Sequence, residues 1–281
     1  MMGTRRIVRA ILALFCCTAI ALSVAKLRPA NAADAKTLEK STAKPGYAVG
    51  RIYGEDGKPI AIEDVEYHIL MTGVSTKGGE KIGSGPQPNA DGRYEQKLVD
   101  GIYEVSAFIM VPWDGKAFRY DLAPLQRKGN QESAKGVVAD FQWRLSGAIS
   151  QLYKDPKTSS HWYGAAVTVK PEYAPGNPPK GTVYHLTVTP AGKLIDGSEG
   201  KPLKFERNYN DLYGEIDDLN DIPVGKWKLS GTMKPPGGAD KPLVFDNTPS
   251  TGFVEAIELV FAPYPNDGRA TGKNIIHCKS K

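Results

Sequence analysis

Four aromatic side chains are the residues best suited to hold a ligand. Trp113, Tyr120, Trp162 and Tyr163 carry flat apolar faces with polar edges, which is the surface that stacks on a pyranose ring. Trp113 motivates this hypothesis because it lies at a turn signal, where a core residue is less expected. The alternative, which the sequence favours, is that these side chains pack between sheets.

The histidines provide no recognisable set of metal ligands. His68 and His185 occupy equivalent positions in two similar segments, and a surface or cross-strand role is favoured over a metal site that pairs them. His161 precedes two of the aromatic residues and lies where an inter-domain site would form. The chain has neither an H-E-x-x-H motif nor cysteine-rich spacing, so no metal and no cofactor are predicted.

The densest acidic stretch, Glu215–Asp221, is a candidate calcium loop. Calcium prefers several oxygen ligands from one flexible loop, but the spacing here differs from that of a D-x-D-x-D-G loop. A solvated acidic turn is therefore favoured. The sequence also lacks the G-x-S-x-G motif of serine hydrolases. It predicts no catalytic residue and no enzyme activity.

Residues 1–32 have the features of an export signal. Three arginines within residues 5–9 precede an uncharged apolar run, Ala10–Ala25, and Ala30-Asn31-Ala32 supplies a small-x-small cleavage site. The run has 16 residues, fewer than the ~20 that span a bilayer, so cleavage after Ala32 is favoured over a retained anchor. The arginine pair leaves both the twin-arginine and the general secretory route open. We expect a periplasmic or extracellular protein without a membrane span after cleavage.

Charge and cysteine content narrow the classes of partner. The export segment holds five of the 36 basic residues and no acid, which leaves 31 basic and 31 acidic residues in the remainder. A nucleic-acid footprint needs a basic surplus, so nucleic acid is excluded as a partner. Cys278 is the one cysteine beyond the signal, so it has no internal disulfide partner. It is expected to be a free thiol in a disordered tail, with a link to a partner as the alternative.

Alternating apolar residues predict an all-β fold. Tyr103, Val105, Ala107 and Ile109 fall on one face of a strand, and Phe141, Trp143 and Leu145 repeat the pattern with polar residues between them. Glycine, proline and aspartate clusters separate such segments. No segment after the signal has the 3.6-residue period of a substantial helix. The sequence predicts immunoglobulin-like or prealbumin-like β-sandwiches.

The chain after the signal is predicted to contain two copies of one β-domain. Tyr67 aligns with Tyr184, and three further pairs of segments follow in the same order: 47–50 with 164–167, 100–106 with 224–230, and 136–141 with 252–257. The predicted divisions are a signal peptide 1–32, a first sandwich 45–147, a linker 148–161, a divergent second sandwich 162–263 and a polar tail 264–281.

The first copy resembles the carboxypeptidase regulatory-like (prealbumin-like) β-sandwich domain. The resemblance rests on three segments: 49–60 with its Glu55–Pro59 turn, Asp91-Gly92-Arg93-Tyr94, and 100–107. The second copy is similar over Ile222–Trp227 but lacks the first turn. The resemblance implies an all-β fold and a non-catalytic accessory role in an exported protein.

These observations predict an exported, non-catalytic binding or structural module. Its partner would be a protein or a carbohydrate outside the cytoplasm, contacted through loops and sheet edges. The alternative is a hydrolase accessory or a minor enzyme with a site at the inter-domain junction near His161.

Overall fold

The structure is a computed structural model. It describes residues 38–60, 62, 64–75, 83, 85–126, 129–149, 161–172, 178–210, 216–247, 250–265, 268–272 and 275–281. All of them belong to one compact unit that begins at Ala33. The predicted signal peptide lies outside the described residues. Below, residues 38–149 are called the first half and residues 161–281 the second half.

The first half contains two sheets. One has the strand order β3-β1-β9-β6, with β8 also paired to β1, and the other has the order β2-β4-β5, with β7 paired to β4. A 3₁₀ turn, Ser133–Lys135, precedes β8. The strands are β1 (Tyr47–Tyr53), β2 (Glu66–Ser75), β3 (Arg93–Lys97), β4 (Gly101–Trp113), β5 (Lys116–Asp121), β6 (Ala123–Pro124), β7 (Gln131–Glu132), β8 (Val137–Val138) and β9 (Phe141–Gln142).

The second half also contains two sheets. One has the order β14-β10-β19-β18, and the other has the order β11-β20-β16-β15-β12-β13, with β17 paired to β15. The strands are β10 (Ala165–Val167), β11 (Val169–Pro171), β12 (Val183–Leu194), β13 (Leu203–Asn208), β14 (Leu219–Ile222), β15 (Gly225–Lys234), β16 (Lys241–Asn247), β17 (Ile257–Leu259), β18 (Phe261–Pro263), β19 (Ala270–Gly272) and β20 (Ile276–Ser280).

The fold class is all-β, as predicted, and the described residues form no α-helix. Among the residues described, none belongs to a helix of the length and apolarity that a bilayer crossing requires. The strands follow the alternation in the sequence: Tyr103, Ile109 and Val111 of β4 point into the core, as do Trp227 and Leu229 of β15. One apolar core extends through both halves.

The two halves share an order of strand pairing. In each half the first strands pair antiparallel with a short strand (β3 or β14) and parallel with the last strands (β8 and β9, or β19 and β20). The Tyr103 hydroxyl donates to the Val99 carbonyl at 2.8 Å, and the Trp227 indole N–H donates to the Pro223 carbonyl at 2.8 Å. These equivalent contacts are compatible with a duplication, which stays a prediction together with its domain boundaries.

The predicted polar tail 264–281 is wrong. It contains β19 and β20, and β20 lies between β11 and β16 with hydrogen-bonding partners on both sides. Ile276 and Cys278 are its buried residues, and the polar residues around them gave the segment its tail-like composition. The same topology corrects the last aligned pair of segments: β19 and β20, rather than 252–257, take the place of 136–141.

Asp140, which precedes the alternating residues 141–145, is an acidic residue that is buried. Its carboxylate accepts hydrogen bonds from Ser41 N and Oγ at 3.0 and 2.5 Å, from Arg51 N at 2.9 Å and from Gln126 Nε2 at 2.6 Å. A buried carboxylate is tolerated when its oxygens are fully hydrogen-bonded. This carboxylate ties the segment before β1 to the end of the first half.

The placement of Cys278 predicts an unreactive thiol. Burial raises its pKa to about 12, and the charge of Glu172 adds to the shift. A chain that starts at Ala33 holds this cysteine alone, so we expect no measurable reaction with a thiol reagent in the native protein and one equivalent after denaturation. The control is the double substitution Cys278→Ala and Ser280→Cys, which moves the thiol to an exposed position and should react at once. Rapid labelling of native Cys278 would contradict this placement.

Candidate ligand-binding cleft

Trp162 and Tyr163 are held by a short antiparallel ladder between the halves. Ile149 N donates to the His161 carbonyl at 2.9 Å, and Tyr163 N donates to the Gly147 carbonyl at 3.0 Å. Both ends of the predicted linker are therefore paired with each other. Trp162 lies inside this ladder and is half-buried.

Asp221 fastens the same ladder to β14. Its carboxylate accepts the Gly147 N–H at 2.8 Å (Oδ1) and 2.9 Å (Oδ2), and the Gly164 N–H at 3.2 Å. Gly164 has no room for a side chain, because an added Cβ would lie 2.5 Å from the carbonyl carbon of Asp221. The backbone on both sides of the aromatic pair is thus fixed.

The expectation of a solvated acidic turn is wrong for the residues described, 216–221. Asn220 and Asp221 belong to β14, and Asn220 is buried. Burial raises the pKa of Asp221 to about 6; the hydrogen bonds from Gly147 and Gly164 oppose the shift, and the charge of Glu55 adds to it. Burial also raises the pKa of Glu55. Asp221 therefore acts as a hydrogen-bond acceptor that joins the first half to the second half.

Strand β5 brings charged residues to the junction. Residues 119 and 121 share one face of the strand, and the Arg119 N–H donates to the Gly268 carbonyl at 2.8 Å. Arg119 Nε and Nη2 donate to Asp121 Oδ1 at 3.1 and 2.9 Å. Arg269 Nη2 donates to Asp121 Oδ2 at 2.5 Å. Asp121 therefore lies between two guanidinium groups, one from each half.

A cleft of about 310 Å³ opens between the ladder that carries Trp162 and Tyr163 and the charged residues of β5. Its volume is at the lower end of the range found for small-molecule sites, about 300–1,000 Å³. Seven of its twelve described lining residues are aromatic or charged, and Tyr264 at its border is 50% exposed. These aromatic and charged lining residues are Arg119, Tyr120, Asp121, Trp162, Tyr163, Tyr264 and Arg269.

The structure brings together three of the four aromatic residues proposed as ligand-binding. Tyr120, Trp162 and Tyr163 border the cleft, whereas Trp113 lies at the end of β4, half-buried against the core. Tyr120 is only 3% exposed and packs edge-on against Trp143, with ring centroids 5.5 Å apart. Packing therefore accounts for Tyr120, and a binding role for any of the four stays a prediction.

Sequence reasoning missed the charged residues of the cleft. The alternation along β5 was a usable signal for Arg119 and Asp121, because it places both on the face opposite Tyr120. Tyr264 and Arg269 carried no usable signal, because they lie in the segment expected to be a tail. The contact of Arg269 with β5 depends on its pairing with Arg119, more than a hundred positions away in the sequence.

The histidines lie outside the cleft. His68 stacks on Phe108 with ring centroids 4.4 Å apart, and its Nε2 is 3.6 Å from a Glu66 carboxylate oxygen. His185 Nδ1 is 3.8 Å from Glu206. In the described part of the chain, no three His, Cys, Asp or Glu residues come together as a metal site.

An enzyme site near His161 gains no support from this arrangement. His161 contributes its carbonyl to the ladder and is not part of the cleft lining. Asp121 is the acid among the described lining residues. Its two oxygens accept hydrogen bonds from Arg119 and Arg269.

Comparisons with known proteins assign no family. No family model matches the chain, and no curated protein matches it. Among solved structures, the chain resembles the major pilin from Streptococcus pyogenes at 11% sequence identity, over 85% of this chain and 99% of that one, with a TM-score of 0.20. At that TM-score the likeness carries no argument about function.

Asp221 predicts an unusual pH dependence of stability. Its pKa is higher in the folded state (about 6) than its ordinary 3.8, so the folded state binds the proton more tightly. This contribution to stability is full below the lower pKa and is lost as the pH rises through 6. We expect the free energy of unfolding to increase by about 1–2 kcal/mol between pH 7 and pH 5 because of this group.

Chemical denaturation of Asp221→Asn across that pH range measures the effect. The asparagine oxygen can still accept the two backbone N–H groups, and we expect a flatter pH profile than that of the parent protein. Asp240→Asn is the control, because Asp240 is exposed and its removal should leave the profile unchanged. An unchanged profile in Asp221→Asn would contradict the assignment.

Proposed function

We propose that the chain is an exported binding module that holds its ligand in the cleft between the two halves. The observation that carries the proposal is the concentration of aromatic and guanidinium side chains around a cavity of about 310 Å³. Tyrosine, tryptophan and arginine are the residues that contribute most to binding energy at interfaces. The export signal predicted for residues 1–32 favours a partner outside the cytoplasm.

The first half is proposed to be a carboxypeptidase regulatory-like β-sandwich. In support, β1 is followed by a tight turn in which Gly57 has a φ of +77° and the Asp56 carboxylate accepts the Lys58 N–H at 2.9 Å. A second turn, with Gly92 at a φ of +74°, leads into β3. These turns lie at the positions on which the resemblance rests. Domains of this kind act mainly as accessories, which favours binding over catalysis.

The construction of the site also favours binding. Trp162 and Tyr163 lie on a hydrogen-bonded ladder rather than at a loose loop tip, and Asp221 fixes its base. Rigid aromatic side chains lose little conformational entropy when a ligand stacks on them. A saccharide ring is the ligand whose shape suits such a surface, and a protein partner is the alternative.

Depletion from solution by insoluble polysaccharides tests the proposal. The full chain is mixed with cellulose, chitin, cross-linked pectate and peptidoglycan, and the unbound protein is measured. We expect depletion by at least one of them, and Trp162→Ala should weaken it about tenfold because it removes a central aromatic contact.

Trp113→Ala provides the matched control. Trp113 is also half-buried but lies outside the cleft lining, so its loss should leave binding unchanged. Thermal unfolding of both variants monitors folding. Equal binding by Trp162→Ala and the parent protein would place the ligand elsewhere, and no depletion by any polymer would remove the saccharide proposal.

A further inference from the structure

Strand β13 is the outer strand of the larger sheet of the second half. It ends the order β11-β20-β16-β15-β12-β13, and each of its six residues pairs with β12 without a bulge. Within the described part of the chain, no strand pairs with its other side. The Glu206 carbonyl accepts a hydrogen bond from Arg207 Nη1 at 3.0 Å, a side chain rather than another strand. Such an edge presents backbone N–H and C=O groups that a further strand can use.

The two other edge strands of at least six residues, β2 and β5, are covered. Residues 83–85 form two backbone hydrogen bonds to β2, at Ile69 (2.6 Å) and Met71 (3.1 Å), and the Gly268 carbonyl accepts a backbone N–H of β5. Proteins commonly protect an exposed edge with proline, a bulge or a covering segment. Strand β13 contains neither proline nor glycine, so its edge is suited to pairing.

The charges of β13 are complementary to a second, antiparallel copy of the same strand. When two copies meet with Phe205 opposite its equivalent, Lys204 of each copy lies opposite Glu206 of the other. Both side chains are exposed and lie on the same face of the strand. Opposite charges directly across an antiparallel pair stabilise it, and like charges destabilise it. The strand is therefore self-complementary in this register.

The other face of β13 fits the same register. Phe205 is half-buried against the core, so part of its ring is left for the Phe205 ring of the second copy, and aromatic pairs across strands are favourable. Leu203 then lies opposite the apolar stem of Arg207. The Arg207 guanidinium is already held by the Asp217 and Asp218 carbonyls, so this pairing needs no new partner for its charge.

Strand β3 is a contrasting edge on the same molecule. In the described part of the chain it pairs with β1 alone. An antiparallel pair of β3 strands centred on Glu95 would place Arg93 opposite Lys97 and the two Glu95 carboxylates opposite each other. Like charges oppose this pairing. Self-association is thus favoured at β13 and disfavoured at β3, which provides an internal control.

We propose that two copies of the chain associate through antiparallel pairing of their β13 strands, about a two-fold axis at Phe205. The larger sheet of the second half continues from one copy into the other, and each copy contributes the same surface, as a two-fold interface requires. This inference does not depend on the cleft or on its ligand. A pair of six-residue strands is small beside the standard interface of about 1,600 Å², so we expect a weak dimer that dissociates on dilution.

Sedimentation velocity of the chain in its exported form, over a concentration series, tests the inference. We expect a reversible equilibrium between monomer and dimer. Lys204→Glu brings like negative charges together at both ends of the strand pair, and Glu206→Lys brings like positive charges together. Each variant should weaken association about tenfold. Lys97→Glu, the matched control, makes the same change on β3 at an exposed position and should leave association unchanged.

A mixture of the two variants tests the register. In an equimolar mixture of Lys204→Glu with Glu206→Lys, every glutamate at these positions meets a lysine of the other variant. The mixture should therefore associate at least as tightly as the parent chain. Thermal unfolding of each variant monitors folding, and we expect little change because both sites are exposed.

The outcomes divide clearly. Association in the mixture but not in either variant alone supports the Phe205-centred pair, because a pair centred on residue 206 would not bring residues 204 and 206 together. A monomer at every concentration would overturn the inference, and so would a dimer that both variants leave intact. Loss of association in both variants without recovery in the mixture would overturn the proposed register. The depletion experiment tests the cleft separately.

Discussion

The Asp221 carboxylate is the interaction on which the cleft depends. It accepts the N–H groups of Gly147 and Gly164, the residues that bracket the ladder bearing the aromatic pair. Its own strand, β14, is buried in the second half, so one side chain joins the end of the first half to the start of the second. Because burial raises its pKa to about 6, this link combines precise placement of Trp162 and Tyr163 with a cost in stability at neutral pH.

Asp121 positions the charged side of the cleft, as Asp221 positions its aromatic side. It lies on β5 in the first half and accepts hydrogen bonds from Arg119 of the same strand and Arg269 of the second half. Exposed ion pairs contribute little to stability, about 0–1 kcal/mol. Their value here lies in orientation, because the pairing keeps two guanidinium groups beside a flat aromatic surface.

Local pattern was enough to predict the strands but not the links between them. The alternation of apolar and polar residues along β4 and β15 predicted which faces are buried, and the aromatic pair at 162–163 was predicted as a candidate site. The sequence could not show that the segment around Cys278 forms an internal strand, because two buried residues among polar neighbours look like a tail. Asp140 and Asp221 were missed for a related reason: an acidic residue reads as solvated unless its distant donors are known.

The indole N–H signals in a two-dimensional NMR spectrum test the central claim most directly, because the chain's tryptophans sample different environments. Trp143 and Trp227 are buried in the core, Trp113 lies at the end of β4, and Trp162 borders the cleft. During titration with a soluble fragment of a polysaccharide that depletes the protein from solution, the account predicts that the Trp162 indole signal moves with ligand concentration while the other three stay in place. A shift confined to Trp113, or no shift at saturating ligand, would contradict a binding cleft between the halves.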